Sequence, residues 1–145
     1  MLEVPLVQLD DELALPAYAH VGDAGADLMA REEVVLAAGG GRALIGTGVA
    51  VAVPPGYAGL LLPRSGLALR HGVTCLNSPG LIDSGYRGEL KMLLVNTDPV
   101  SDYRVRRGDR IGQLVIQAVT EVRFVTGAPL PPAARAGGGF GSTGV

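Results

Sequence analysis

The sequence predicts an all-β sandwich or barrel. Short apolar segments rich in Val, Ile and Leu recur at steady intervals, and clusters such as "AAGGG", "PPG", "NSPG" and "NTDP" separate them, which is the pattern of many short strands joined by turns. A further observation is negative: no window sustains a 3.6-residue apolar stripe over three turns, as an amphipathic helix must. With 145 residues the chain suits one domain with a real core and is too short for two.

Taken in order, the strand candidates are "VPLVQL" (4 to 9), "RALIGTGVAVAV" (42 to 53), "YAGLLLP" (57 to 63), "GELKMLLVN" (88 to 96), "RIGQLVIQAV" (110 to 119) and "VRFV" (122 to 125). Between the first two, "DAGADLMA" (23 to 30) sets Asp27 between small residues and a strand, which suits a turn or an acid facing a metal-bound water. The best helix candidate is "SGLALRHG" (65 to 72), where Ser65 is fitted to cap the first turn and Gly72 to end the last. The stretch "NSPGLIDSGYRGEL" (77 to 90) reads as a hairpin whose arms flank the turn "SGYRG". From residue 127 onward "GAPLPPAARAGGGFGSTGV" is dense in Pro and Gly and cannot bury enough apolar surface to hold itself folded. The expected organisation is therefore a body over 1–126 and a flexible C-terminal arm over 127–145.

Three interior stretches set polar groups beside glycines at strand ends. In "PRSGLA" (63 to 68), Arg64, Ser65 and Gly66 offer a guanidinium, a hydroxyl and free helix amides to one anion, which is what a phosphate needs; an ordinary N-cap with an exposed Arg is the commoner outcome. In the hairpin, Asp83 follows an apolar pair and is the best candidate for a general base, because a partly desolvated carboxylate can hold and deprotonate a water; the alternative is a turn-capping Asp. Tyr86 is suited to pack on a ligand ring or sugar, or to serve as a cross-strand aromatic. In "RRGDRIGQL" (106 to 114), Gln113 lies within an apolar strand and must find a polar partner, backbone or ligand. The "RGD" within it is a chance match at a turn.

Composition excludes several classes. The residues are 48% hydrophobic and the formal net charge is −2, which suggests no polyanion partner. No apolar run approaches the ~18 to 20 residues of a membrane span, and "MLEVPLVQLDDE" lacks the basic start of a signal peptide. The single cysteine, Cys75, suits a reducing cytoplasm and the role of a small core residue. His20, His71 and Cys75 lack zinc-site spacing. The tail spells G-x-G-x-x-G through Gly139, Gly141 and Gly144, but only Val145 follows, so no helix can receive a pyrophosphate as in a dinucleotide fold.

In order and at their separations, "AGADL" (24 to 28), "PRSGLA" (63 to 68), "GLIDSGYRGEL" (80 to 90), "RGDRIGQL" (107 to 114) and "RAGGGFGSTG" (135 to 144) resemble the motifs of the homotrimeric dUTP pyrophosphatases over nearly the whole chain. Ala26 stands where that family usually carries a bulkier residue, and Asp27 follows it as expected. The resemblance implies a jelly-roll β subunit, a homotrimer with shared active sites closed by C-terminal arms, and Mg²⁺-dependent hydrolysis of dUTP to dUMP and pyrophosphate. That activity limits uracil in DNA and supplies dUMP for thymidylate synthesis. Carried over position by position, Asp83 would activate the attacking water and Asp27 would reach the metal through water. Arg64, Ser65 and Gly66 would hold phosphates from one subunit, Gln113 would contact the α-phosphate from another, Arg135 would reach the terminal phosphates from the arm, and Ser142 and Thr143 would add phosphate contacts. Phe140 would stack on uracil, Tyr86 would exclude a ribose hydroxyl, Asn77 would help place the base or the water, and Lys91 and Gly141 would join the substrate contacts. A related dCTP deaminase would need a Glu near position 117, where this chain has Gln117, which cannot shuttle the proton. The partner implied is dUTP, with no nucleic acid and no membrane, in the cytoplasm.

Overall fold

Apolar runs broken by turn residues become strands nearly where the sequence puts them. A computed structural model, describing residues 1–133 and Gly137, runs β1 (Leu6–Gln8), β2 (Ala26–Met29), β3 (Val34–Leu36), β4 (Arg42–Val51), β5 (Tyr57–Leu62), α1 (Ser65–His71), β6 (Val73–Cys75), β7 (Gly80–Ile82), β8 (Glu89–Asn96), β9 (Tyr103–Val105) and β10 (Arg110–Ala118). All strand pairs are antiparallel. One sheet has the order β1-β4-β8-β6, a second β2-β10-β5-β7, and β3 pairs with β9 in a small third. None of the described helices is long and apolar enough to cross a membrane.

The two larger sheets bury one shared core. Ile45, Leu90, Met92 and Leu94 from the first meet Leu28, Leu61, Ile111 and Leu114 from the second in a single apolar cluster. Each such side chain contributes about 1.5–3 kcal/mol by leaving water. Gly112 of β10 leaves room for Met92 of the facing sheet: an added Cβ there would lie 2.3 Å from Met92 Cε and 3.2 Å from the Leu62 carbonyl oxygen of the neighbouring strand. The result is the jelly-roll-like β sandwich that the sequence predicts.

β4 is central, and its pairing with β8 slips between Gly46 and Ala50. Gly48 takes φ 72° there, a left-handed conformation that glycine adopts without steric cost. The ladder is repaired by side chains: Thr47 Oγ1 donates to the Leu90 carbonyl at 2.7 Å, and the Gly48 amide donates to Glu89 Oε1 at 2.9 Å. The buried Asn96 ties β3 and the loop before β9 to the first sheet by donating from Nδ2 to the Leu36 and Ser101 carbonyls.

Three expectations are corrected. The arms of the predicted hairpin do not pair with each other, because β7 joins β5 in one sheet while β8 joins β4 and β6 in the other. Residues 83–88 are thus a crossover between sheets, turned by the Tyr86 amide donating to the Asp83 carbonyl. Helix α1 forms, and Gly72 ends it with φ 62°, but Ser65 is its first residue and Arg64 occupies the capping position without a side-chain bond to the helix. Finally, "VRFV" forms no strand: Val122, Phe124 and Val125 stand 61–91% exposed, since no described strand edge receives them.

Candidate active site

At one end of the second sheet, β2 and β10 run side by side with Asp27 opposite Gln113 in register. The strand β5 runs beside β10 and delivers Arg64, Ser65 and Gly66 at its far end as α1 begins. These five predicted residues line one cavity of about 500 Å³; Gln113 therefore stands with Arg64 in the same copy, not in another as expected, because β10 lies between β2 and β5. Asp27 organises it: its Oδ1 pairs with Arg64 Nε at 3.1 Å and its Oδ2 with Arg110 Nη1 at 3.4 Å. The Asp27 side chain is 13% exposed and Arg64 29%, so the pair is partly withdrawn from water, where charge–charge attraction is stronger than at an open surface. Two guanidiniums around one carboxylate leave the cavity net positive, suited to a polyanion.

The polar partner required for Gln113 is a backbone group, for its Nε2 donates to the Pro63 carbonyl at 3.1 Å. Its Oε1 lies against Gly25, where a Cβ would come within 2.7 Å; the glycine two residues before Asp27 makes room for the amide. Gly66 serves similarly beside Arg70, whose Nη2 would stand 2.9 Å from an added Cβ. Arg110 and Arg70 line the cavity without having been singled out from sequence. Arg70 could have been found as the residue one helical turn after Gly66, on the same face.

Asp83 is elsewhere. It lines a separate cleft of about 520 Å³ with Gly56, Tyr57, Ala58 and Val119. Because Ile82 pairs with Gly59, Asp83 sits near the start of β5 whereas Arg64 follows its end. Six residues of strand at about 3.3 Å each separate the two by roughly 20 Å. Asp83 is also exposed, not partly desolvated as the sequence suggested, since the crossover faces outward. Its carboxylate makes no hydrogen bond with a described residue, so it does not cap its turn.

Tyr86 folds back over Gly88 and donates from its hydroxyl to the Glu89 carbonyl at 3.0 Å. It is not a cross-strand aromatic, because its flanking strands part into different sheets. Asn77 and Lys91 meet at a narrow crevice beside Gly80 and Cys75. Burial pushes the Cys75 thiol up to about 11, which keeps it protonated and inert. Arg135, Phe140, Gly141, Ser142 and Thr143 lie outside the described residues.

A second ionic cluster braces the far side of the first sheet. Arg107 forks onto both oxygens of Asp10 at 2.7 and 2.9 Å and also reaches Glu12 at 2.9 Å. This contact holds the Asp10 carboxyl down to about 2. Arg107 is the first residue of the "RGD" tripeptide, and its engagement here, with Gly108 at φ 84°, marks that tripeptide as a structural turn.

Comparison with known proteins places these features in a family context. A family profile described as dUTPase matches residues 11–144. A deoxyuridine 5'-triphosphate nucleotidohydrolase of Thermobifida fusca is 56% identical over 143 residues, covering 99% of this chain and 79% of that protein. The protein of the same name from Corynebacterium glutamicum is 50% identical, covering 97% and 94%. Among solved structures, a mutant dUTPase of Staphylococcus bacteriophage 80alpha with dUpNHpp superposes with a TM-score of 0.89 at 29% identity, covering 99% of both chains. A mutant dUTPase from phage phi11 of S. aureus, in which a structural Mg(II) ion is coordinated, superposes at 0.80 with 27% identity, covering 88% of this chain and 97% of that one.

Proposed function

Because the chain belongs to the dUTPase family, we propose the following roles for its residues in the reaction it catalyses, the hydrolysis of dUTP to dUMP and pyrophosphate. Asp83 accepts a proton from a water whose oxygen bonds to the α-phosphorus. The bond from that phosphorus to the bridging oxygen breaks, and pyrophosphate leaves with the electron pair. Arg64, the Ser65 hydroxyl and the amide at Gly66 hold phosphate oxygens, and Gln113 contacts the α-phosphate. Asn77 and the crossover backbone match the uracil edge, while Tyr86 covers the sugar so that a ribose 2'-hydroxyl has no room. Arg135, Ser142 and Thr143 clamp phosphates and Phe140 stacks on the base, from an arm over residues 127–145 that closes on the body over 1–126.

The roughly 20 Å between Asp83 and Arg64 within one chain carries the assembly. A single triphosphate cannot touch both, so a complete site needs Asp83 from one copy and the Arg64 cavity from another, and a homotrimer with shared sites supplies this. The exposure of Asp83 fits the same assembly, since a neighbouring copy would provide the desolvation a general base needs.

Mg²⁺ fits on limited terms. Among the described residues no three His, Cys, Asp or Glu side chains gather into a metal cage, and Asp27 already serves two guanidiniums. A magnesium ion commonly takes one or two carboxylates plus substrate phosphates and waters, so the triphosphate would carry the ion and Asp27 would meet it through water. Bound there, the ion would neutralise phosphate charge and fix the coil of the chain. The net charge of −2 supports a small nucleotide over a nucleic acid as partner, and the cytoplasm is the proposed place of action.

A pyrophosphate-release assay against dUTP, dCTP, dTTP and UTP tests the specificity, with only dUTP expected to turn over. Asp83→Asn should lose activity by at least the ~10²–10⁴-fold typical of a general base while still binding dUpNHpp. Turnover surviving in that variant would remove Asp83 from its role.

A further inference from the structure

Beside the catalytic cavity, α1 and the segment from β9 to β10 enclose a second cleft of about 470 Å³. Strand alternation explains its charge: Val105 is fully buried, so Arg104 and Arg106 on either side of it both turn outward. Arg64 and Arg110 form the wall shared with the catalytic cavity. His71 closes one side, with its ring 4.8 Å from that of Tyr103. The one carboxylate in the lining, Asp109, turns its Oδ2 back to the Arg106 amide at 2.8 Å.

The charges do not balance. Arg104 pairs with Glu33, and Arg64 and Arg110 share Asp27. The Arg106 side chain makes no hydrogen bond or ion pair with any described residue. The positive charge of Arg106 is therefore uncompensated by any described side chain, and a phosphate bridging it to Arg104 and Arg110 would balance it. Their planar forks match phosphate oxygens in pairs.

We infer that this cleft is a second phosphate site, which receives inorganic pyrophosphate as it leaves the catalytic cavity past Arg64 and Arg110. The inference rests on the hydrolytic function above. Pyrophosphate bears charge at both ends, so it can exchange one guanidinium partner at a time while crossing the shared wall. The nucleoside monophosphate has one charged end and gains less from the second cleft.

The test is calorimetric titration of inorganic pyrophosphate into the intact protein already saturated with dUpNHpp. Pyrophosphate should still bind, Arg106→Ala should weaken that binding at least about tenfold, as loss of one charge-assisted contact implies, and Arg106→Lys should recover part of it. Turnover of saturating dUTP by Arg106→Ala should stay within about twofold of the parent, showing that the hydrolytic site is intact. Failure of pyrophosphate to bind alongside the analogue, or equal affinity in the parent and Arg106→Ala, would overturn the second site. Absence of dUTP turnover in the parent would instead overturn the function on which it rests.

Discussion

Mixing two inactive variants should restore activity. Asp83→Asn removes the proposed base and Arg64→Ala a proposed phosphate contact, and each alone should be nearly inert. Within one chain these residues lie at opposite ends of β5, roughly 20 Å apart, and on the shared-site proposal they serve different sites. When the variants are unfolded together in equal amounts and refolded, each site should draw its Asp83 from one copy and its Arg64 from another. The chance that both are intact is one half times one half, so about a quarter of the sites should be complete if copies assemble at random. Pyrophosphate release from dUTP should then rise to roughly a quarter of the value of parent protein refolded in the same way. A mixture as inert as either variant, at a mass confirming mixed trimers, would refute the shared site.

Three further outcomes follow from the structure. Deleting residues 135–145 should leave a trimer by sedimentation with little dUTP turnover; full activity would remove the closing arm from the mechanism. Asp10, held down to about 2 by Arg107, stabilises the fold fully above its ordinary value of 3.8, and the contribution fades as pH falls from about 4 through 2, because the unfolded chain takes up the proton first; thermal melts across that window should flatten in Asp10→Asn. Gly112→Ala would drive a methyl to 2.3 Å from Met92 Cε and 3.2 Å from the Leu62 carbonyl; Met92 can shift but the backbone cannot, so urea unfolding should show a loss of about 1–3 kcal/mol.

Much of the fold was legible because its signals are local. Turn clusters and short apolar runs mark β4, β5, β8 and β10, and Gly72 marks the end of α1. The hairpin expectation at 77–90 failed for a reason that local sequence does not hold. A turn between two apolar arms is compatible with pairing to each other or to different neighbours, and the choice lies with β5 and β4, which lie earlier in the chain and far from the turn. The segment "VRFV" failed likewise, since strand propensity needs an edge to pair with, and none of the described edges receives it.

The candidate site divides in the same way. Sequence alone determined which chemical groups are present and in what order: the guanidinium, hydroxyl and glycine of "RSG", the carboxylates of Asp27 and Asp83, and the amide of Gln113. These are properties of residue type, and the order of the motifs was enough to point to the family. Tertiary structure alone decided which of them meet. Antiparallel register sets Asp27 against Gln113, the run of β5 carries Arg64 to their end and leaves Asp83 at the other, and Arg110 joins through Asp27. Pairing between strands distant in sequence fixes those distances, and it depends on a core that forms only when the two sheets close together.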